Sequence, residues 1–316
     1  MREQTVIRAL ELFCGIGGFA AASAGTNIRV AGAVDQSPAA LEVYRLNFPG
    51  HDAWQLNLEN VTADELQVFG ADFWWLSPPC QPYTVRGAGR DVEDPRALSF
   101  RRILDVMARM NENRLPSHLA LENVEGFARS EMRRRIVGLL SDRGYAVQEC
   151  MLCPTELGVP MRRPRYYLMA SRVRLSPPVV IVDVPLRPLG DYLDGVDESG
   201  VHDGLHVGGD VLAKFGKGFR ILDPNDPQAY TTCFTSGYGR SLMRAGSYLQ
   251  CAGGVRRFAP EEIARLLHFP EGFRFPDRMT LRKKWHLAGN SLSVAAVRKV
   301  LEAFPDVLKC QKNPPL

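Results

Sequence analysis

The chain has 316 residues, 45% of them hydrophobic and 23% charged, with a formal net charge of +4. This composition is typical of a globular protein with one large or two ordinary domains. No apolar run is long enough to cross a membrane and the first residues do not resemble a signal peptide, so we expect a cytoplasmic protein without membrane contact. The slight positive charge allows a nucleic-acid partner but does not require one.

Seven cysteines are scattered through the chain. Their odd number and the missing secretion signal argue against a disulfide framework. Cys150 and Cys153 have the spacing of a metal-ligand pair, but no second pair follows, so we expect no metal. Four basic clusters each suit a solvated face, and together they could follow a phosphate backbone. These clusters are 133–135, 162–165, 256–257 and 278–286.

The first element is a predicted strand over 8–13, followed by the glycine-rich turn CGIGGF and an alanine-rich helix over 20–24. A second strand over 29–34 ends at Asp35. A glycine turn between strand and helix lets backbone approach a ligand, and an acidic residue about 20 positions later is placed to bind ribose hydroxyls. The spacing is G-x-G-G rather than G-x-G-x-x-G, so it indicates a nucleoside site more than a dinucleotide site, although many βαβ units open with glycine.

A helix over 38–47 leads to a short strand within 55–60, where Asn57 either meets an adenine edge or is only a turn residue. The next strand, 71–76, runs into the sequence SPPCQP. Its prolines stiffen the backbone, so Cys80 lies on a rigid loop at the carboxyl end of a strand, where α/β sheets bind ligands. The alternative is that Cys80 is a small buried hydrophobic residue.

The segment 85–91 is rich in glycine and is either a mobile lid or an ordinary loop. Asp94 or Ser99 could cap the next helix. A strand follows that ends near Glu122, and a carboxylate there is costly unless it is functional or paired with an arginine. The predicted elements of this region are a helix over 100–110, a strand over 118–124, a helix over 126–140 and an antiparallel pair of strands over 145–152 and 165–170.

Strands alternating with helices up to about residue 172 predict an α/β fold, with a parallel-type sheet and helices on both faces. Residues 173–275 are rich in Pro, Gly and Asp and predict a smaller, irregular inserted domain with one short helix over 261–268. A last helix over 294–304, capped by Ser291 or Ser293, returns to the first domain. The predicted domains are therefore 1–172 with 276–316, and 173–275.

Five motifs in this order resemble those of the cytosine-5 methyltransferases. They are FCGIGG at 13–18, PCQ at 79–81, ENV at 122–124, RPR at 163–165 and GNS at 289–291. The resemblance implies a Rossmann-like sheet that binds S-adenosylmethionine and an inserted target-recognition domain. Within this family the chain is most similar to the DNA methyltransferase homologue two group, because of SPPCQPYT, LENVEGF and, above all, CFT at 233–235. Members of that group methylate tRNA.

The resemblance also assigns residues to roles. Catalysis is assigned to Cys80, Glu122, Arg163 and Arg165. Cofactor binding is assigned to Phe13, Gly15, Ile16, Gly17, Gly18, Asp35, Gln36, Asn57, Pro79, Asn290 and Ser291. Substrate binding is assigned to Gln81, Asn123, Cys233, Phe234 and Thr235. The chain departs from the family where Met161 replaces a Gln, Ser293 a Pro, and Gln36 an aromatic residue.

The implied reaction is transfer of a methyl group from S-adenosylmethionine to carbon 5 of a cytosine, at position 38 in the anticodon loop of the aspartate or glutamate tRNA. A Cys80 thiolate adds to carbon 6 and makes carbon 5 nucleophilic. Glu122 hydrogen-bonds or protonates the ring nitrogen, and Arg163 and Arg165 hold the base or favour the thiolate. The base must be out of any stack, which is easier in a loop.

Three other functions are compatible with parts of the sequence. A DNA cytosine-5 methyltransferase would use the same chemistry, and the short recognition domain and CFT favour tRNA over DNA. A catalytically inactive nucleic-acid-binding regulator is disfavoured because Cys80, Glu122, Arg163 and Arg165 are all present. A nicotinamide oxidoreductase would explain the glycine turn and not the Cys80 loop. We expect the protein to be a monomer.

Overall fold

The computed structural model describes residues 5–84, 90–178, 184–194 and 204–307, so the predicted lid or loop lies mostly outside the described residues. Contacts divide the chain into two compact units. Unit 1 comprises Met1–Leu152, Pro164–Val180 and Val297–Leu316, and unit 2 comprises Cys153–Arg163 and Ile181–Ala296. The assignment of 173–275 to target recognition concerns function, and it stays a prediction.

The structure contains the following strands and helices in chain order. The strands are β1 Ile7–Leu12, β2 Ile28–Asp35, β3 Ala53–Gln55, β4 Phe73–Leu76, β5 His118–Val124, β6 Ala146–Leu152, β7 Arg165–Ser171, β8 Ile221–Leu222, β9 Tyr248–Cys251 and β10 Gly254–Arg257. The helices are α1 Gly18–Ser23, α2 Pro38–Asn47, α3 Ala63–Gln67, α4 Leu98–Arg109, α5 Glu131–Asp142, α6 Gly209–Phe215, α7 Pro260–Leu266, α8 Leu281–Gly289 and α9 Val294–Leu301.

Unit 1 is built on a seven-stranded sheet in the order β3-β2-β1-β4-β5-β7-β6. The first five strands are parallel, and β7 runs antiparallel to both β5 and β6. This confirms the predicted α/β class and the antiparallel pair. The strand order changes direction between β1 and β4, which is the point where open α/β sheets bind ligands.

Strand β4 explains why this sheet has helices on both sides. Its sequence is entirely apolar, because a central parallel strand is buried on both faces. Trp75 stacks on Phe19 of α1, with ring centroids 5.2 Å apart. Trp74, which points the other way, belongs to a core cluster with Phe100 and Ile103 of α4. Alternation along one strand therefore fixes two helical layers.

Several local predictions need correction. The short strand predicted within 55–60 is formed earlier, by Ala53–Gln55. The predicted helix over 126–140 begins only at Glu131, after a 3₁₀ turn over Glu125–Arg129. Ser99 lies inside α4, while Asp94 caps a 3₁₀ turn that precedes it. Helix α3 was not predicted, although Thr62 and Glu65 form the capping box that marks its start.

Unit 2 has less regular structure. Its sheet has three short strands in the order β10-β9-β8. An aromatic core surrounds Tyr238, whose ring contacts Phe234 and Trp285 edge-on at centroid distances of 4.9 and 5.6 Å. Its hydroxyl donates to Ser247 O and accepts from Phe258 N. Side-chain contacts, and not long ladders of backbone hydrogen bonds, thus hold the irregular segments of unit 2 in place. No helix that the structure describes is long and apolar enough to cross a membrane.

Candidate active site

The predicted functional residues of unit 1 lie at one edge of its sheet. Phe13 follows β1, Asp35 ends β2, Cys80 follows β4 and Glu122 is near the end of β5. Because these strands are parallel and adjacent, their carboxyl ends meet at the same edge. Arg165 joins them because β7 is antiparallel and begins opposite Val124.

The glycine turn after β1 is held by Asp35. Its two carboxylate oxygens accept hydrogen bonds from Gly15 N at 2.9 Å and Ser37 N at 2.8 Å. Burial raises the pKa of Asp35, and these hydrogen bonds oppose that shift. Gly15 has a φ of +54°, and a side-chain carbon placed there would meet no atom within 4 Å, so its backbone borders open space. At Gly17, by contrast, such a carbon would lie 2.4 Å from Phe48.

Glu11 lies beneath this turn and is completely buried. Its carboxyl group accepts from Phe19 N and is 3.2 Å from the hydroxyl of Tyr44, which in turn is 3.1 Å from His51 Nδ1. Burial raises the pKa of Glu11 to about 8, against the lowering effect of its hydrogen bonds. Burial also lowers the pKa of His51. The Tyr44 hydroxyl donates to Glu11 Oε2, so Glu11, Tyr44 and His51 form one buried polar chain beneath the glycine turn.

The Cys80 loop is clamped against the turn that follows β5. Tyr83 N donates to Cys80 O at 3.0 Å, which closes a 3₁₀ turn after Cys80. The ring of Tyr83 contacts Phe127 edge-on at 4.9 Å. A side-chain carbon at Gly126 would lie only 2.0 Å from Tyr83 O. Glycine at 126 is therefore required for the loop to lie where it does.

Asn123 joins the same two segments from the strand side. It is fully buried, its amide nitrogen donates to Pro78 O at 3.2 Å, and its oxygen accepts from Val124 N at 2.9 Å. We predicted that Asn123 binds substrate. The structure shows both ends of its amide on backbone groups, so Asn123 fixes the loop that carries Cys80.

Arg96 is a charged neighbour of Cys80 that the sequence did not single out. It forms an ion pair of 2.6 Å with Asp94. The pKa of Arg96 is raised, chiefly by the hydrogen bond to Asp94, and the charge of a Cys80 thiolate adds to the shift. The same hydrogen bond lowers the pKa of Asp94 to about 2.

Glu122 and Arg165 form an ion pair across adjacent strand ends. Arg165 Nε lies 3.1 Å from Glu122 Oε1, and their side chains are only 10% (Glu122) and 14% (Arg165) exposed. The structure therefore shows Glu122 paired with an arginine, and its catalytic role stays a prediction.

Arg163 joins the CFT and GNS motifs within unit 2. Its Nη1 donates to Cys233 Sγ at 3.2 Å and to Phe234 O at 3.0 Å, and its Nη2 donates to Gly289 O at 3.3 Å and to Ser291 O. The residue is 3% exposed. Its Nε has no partner among the residues that the structure describes. Arg163 therefore supports two loops.

These two loops also touch directly. A side-chain carbon at Gly289 would lie 2.3 Å from the Thr235 carbonyl carbon, so only glycine fits there. Phe234 is 1% exposed and packs in the aromatic core of unit 2. Its contact with substrate stays a prediction. The hydroxyl of Thr235 accepts from Gly237 N and turns the chain.

The other predicted site residues have simpler surroundings. Gln36 is exposed at the end of β2, and Ile16 is buried inside the glycine turn. Asn57 is exposed, and its side-chain oxygen accepts from Glu59 N, which is the geometry of a turn residue. Pro79 and Gln81 flank Cys80 and are partly buried. The amide of Asn290 lies 3.3 Å from His286 Nε2.

The structure therefore brings the predicted residues together in two sets, one at the sheet edge of unit 1 and one around Arg163 in unit 2. Sequence reasoning missed Glu11, Arg96 and the role of Gly126. A charged residue inside an apolar strand was the available signal for Glu11, and Arg96 offered none. Among the described residues no group of His, Cys, Asp or Glu could hold a metal ion.

An α/β sheet with a glycine turn after β1, an acidic end to β2 and a cysteine loop after β4 is the arrangement found in a class of methyltransferases that use S-adenosylmethionine. The sequence pattern of the C-5 cytosine-specific DNA methylases matches residues 7–187, and the chain belongs to this family.

Relatives match over almost their whole length. A tRNA (cytosine(38)-C(5))-methyltransferase of Schizosaccharomyces pombe is 32% identical, with 96% of this chain and 98% of the relative covered. The human protein of the same name is 29% identical, with 94% and 98% covered. The crystal structure of the S. pombe Dnmt2 methyltransferase superposes with a TM-score of 0.81 at 30% identity, and covers 94% of this chain and 97% of that one.

Proposed function

We propose that this protein methylates carbon 5 of a cytosine in tRNA, at position 38 of the anticodon loop of the aspartate or glutamate tRNA, through a covalent Cys80 adduct. One observation carries the chemistry. Cys80 follows β4, and Glu122, near the end of the neighbouring parallel strand β5, pairs with Arg165 at the start of β7, all at the edge where this fold binds its ligands. We also expect it to act in the cytoplasm as a monomer.

Cys80 supplies the nucleophile in this proposal. Its thiolate adds to carbon 6 of the cytosine, which makes a carbon–sulfur bond and turns carbon 5 into an enamine carbon able to accept the methyl group. Loss of the carbon-5 proton then lets the carbon–sulfur bond break and returns the thiolate.

Glu122 steadies the charge that addition creates on the ring. Arg165 holds Glu122 Oε1, and we infer that Glu122 takes up a proton from solvent as the base binds and donates it to the ring nitrogen when the thiolate adds. The exocyclic amine of cytosine would donate to the same carboxylate. Arg165 is in this scheme a positioning residue for Glu122.

The residues of the glycine turn fit the methyl donor of the family. S-adenosylmethionine, when bound, supplies the methyl group. Gly15 borders open space with its backbone, and each Asp35 oxygen keeps a lone pair for a ribose hydroxyl after accepting one backbone hydrogen bond. Phe13, with a φ of +58°, turns the chain out of β1 beside them.

The substrate class rests on the relatives. Proteins named tRNA (cytosine(38)-C(5))-methyltransferase align with both units of this chain and leave almost none of their own length unmatched. Duplex DNA is the second candidate, because the family that matches residues 7–187 is described as a C-5 cytosine-specific DNA methylase. A cytosine in a loop is easier to bring out of its stack than one in a duplex, which favours tRNA for a protein with so small a second unit.

The test is transfer of labelled methyl groups from S-adenosylmethionine to total tRNA and to duplex DNA. We expect label in tRNA, its complete loss in Cys80→Ala, and its retention in Cys150→Ala, a matched cysteine variant on β6. Bisulfite mapping of single transcripts then identifies the position and distinguishes aspartate from glutamate tRNA. Label in DNA alone would contradict the tRNA assignment and leave the chemistry intact.

The covalent step has its own test. In a tRNA that carries 5-fluorocytosine, carbon 5 has no proton to lose after methyl transfer. The bond between the Cys80 sulfur and carbon 6 therefore cannot break. We expect a complex that resists denaturing electrophoresis for the wild type and for Cys150→Ala. Formation of the same complex by Cys80→Ala would overturn the role of Cys80.

A further inference from the structure

The basic clusters of the sequence differ in their partners. Several of their residues are paired with carboxylates. Arg133 pairs with Glu149, Arg134 and Arg135 pair with Glu131, Arg256 pairs with Glu262, and Lys284 pairs with Glu261 at 3.6 Å. Arg240, Arg282 and Lys283 have no ion pair with any residue that the structure describes. Their charge is therefore available to an outside anion.

These three residues line one pocket of unit 2. It has a volume of about 260 Å³, and its lining contains four basic side chains and no carboxylate. The lining residues are Ser236, Tyr238, Arg240, Thr280, Arg282, Lys283 and His286. A concave surface of a single charge sign concentrates anions more strongly than the same charges on a flat face.

The pocket is rigid because its two walls are locked together. One wall is the loop that follows CFT, and the other is the first turns of α8. Gly239, with a φ of +79°, lies so close to α8 that a side-chain carbon there would be 2.1 Å from Trp285. His286 Nδ1 is 3.2 Å from Ser236 O, and the buried ring of Tyr238 packs on Trp285. The charges are thus held at fixed spacing before any ligand binds.

The orientation of α8 adds to the positive electrostatic potential of this pocket. Thr280 is the N-cap residue of α8, and its side chain makes no capping hydrogen bond. The start of a helix carries a partial positive charge, which here points the same way as Arg282 and Lys283. Without an anion this arrangement brings like charges together and lowers stability, which is a cost that a ligand would remove.

We propose that this pocket binds backbone phosphates of the RNA substrate, with Arg240, Arg282 and Lys283 as the phosphate ligands. The inference rests on the proposed function, because it takes RNA as the anion. It adds a role for the CFT loop: the residues that follow CFT carry the charge, and Arg163 and Gly289 fix where that loop lies.

The experiment compares two double variants with equal loss of charge. Arg282→Gln with Lys283→Gln removes two pocket charges. Lys214→Gln with Lys217→Gln removes two exposed charges of unit 2 outside the pocket. The dissociation constant for tRNA is measured over a range of salt concentrations, together with kcat and KM for methyl transfer.

We expect the pocket variant to raise the dissociation constant and KM about tenfold at moderate salt, with kcat unchanged. The slope of log K against log salt should become shallower by about 1 to 2, since two phosphate contacts are lost. Arg240→Gln alone should give a smaller change in the same direction. The Lys214 and Lys217 variant should behave as the wild type, and circular dichroism spectra should be the same for all.

Two results would overturn the inference. Equal effects of the two double variants would mean that only overall charge matters. A fall in kcat with unchanged binding would place the residues in the chemistry instead. Failure of the proposed function is seen separately, because wild-type protein would then put no label into tRNA.

Discussion

Arg163 and Arg165 are separated by one residue, yet they stabilise two different regions. Arg165 lies at the start of β7 in unit 1 and faces a carboxylate. Arg163 lies in unit 2 and donates to three carbonyl oxygens and a thiol. The region in unit 1 depends on the positive charge of Arg165, and the region in unit 2 depends on the several N–H donors of Arg163. A short motif can therefore join an electrostatic role to a scaffolding role, and loss of each should have a different consequence.

The largest expected effect is that of Arg163→Ala on stability. Three buried carbonyl oxygens lose their donor, at roughly 1 to 3 kcal/mol each, so the free energy of unfolding should fall by about 5 kcal/mol. Urea unfolding followed by fluorescence measures it. Arg162→Ala, its exposed neighbour, is the control and should be near the wild type. If Arg163→Ala kept normal stability and lost activity, Arg163 would act in catalysis and not as a scaffold.

Glu11 sharpens the comparison because it is a buried carboxylate without an arginine. With its pKa near 8 in the folded protein, its contribution is full below the unfolded value of 4.5 and is lost as pH rises through 8. The wild type should lose about 4 kcal/mol by pH 8, and Glu11→Gln should not. Urea midpoints from pH 5 to pH 9 measure the difference. Parallel pH profiles for the two proteins would contradict the assignment.

Glu122→Gln tests the charge role of the Arg165 region. The amide keeps the shape and loses the ability to share a proton, so kcat should fall at least 100-fold. The urea midpoint should change much less in Glu122→Gln than in Arg163→Ala. Glu125→Gln, which alters an exposed neighbour, should retain full activity. If Glu122→Gln lowered stability and left kcat unchanged, Glu122 would be a scaffold residue as well.

Gly126→Ala should lower the free energy of unfolding by about 1 to 3 kcal/mol, because the new methyl group displaces Tyr83 O and with it the Cys80 loop. Activity should fall further than stability. Gly138→Ala is a matched control, since that position in α5 has open space around it and alanine favours the helix. Equal activity of the two variants would show that the Cys80 loop tolerates movement.

The sequence predicted the sheet of unit 1 well because apolar strands, glycine turns and helix periods are local signals. The antiparallel pair and the edge that carries Cys80, Glu122 and Asp35 were also predicted correctly. The sequence could not show that Glu122 pairs with Arg165, since that contact depends on β7 lying between β5 and β6.

Unit 2 was harder to predict for a physical reason. Its aromatic core is assembled from distant segments, so Phe234 and Tyr238 have no period that would mark them as buried. Helix α8 was missed because its first half is basic and only Trp285 and Leu287 reveal its buried side. Pairing of charges is likewise a tertiary property, and four clusters that looked alike in sequence proved to differ.

The position of β7 has a consequence for folding kinetics. Strands β6 and β7 form an antiparallel hairpin that pairs from Ala146↔Ser171 to Leu152↔Arg165. Only the loop 153–164 connects them. Closing so short a loop costs little entropy, whereas ordering the stretch from 181 to 296 requires many distant contacts. We therefore expect Arg165 and Glu122 to come into contact early in folding, and the folding of unit 2 to be the rate-limiting step.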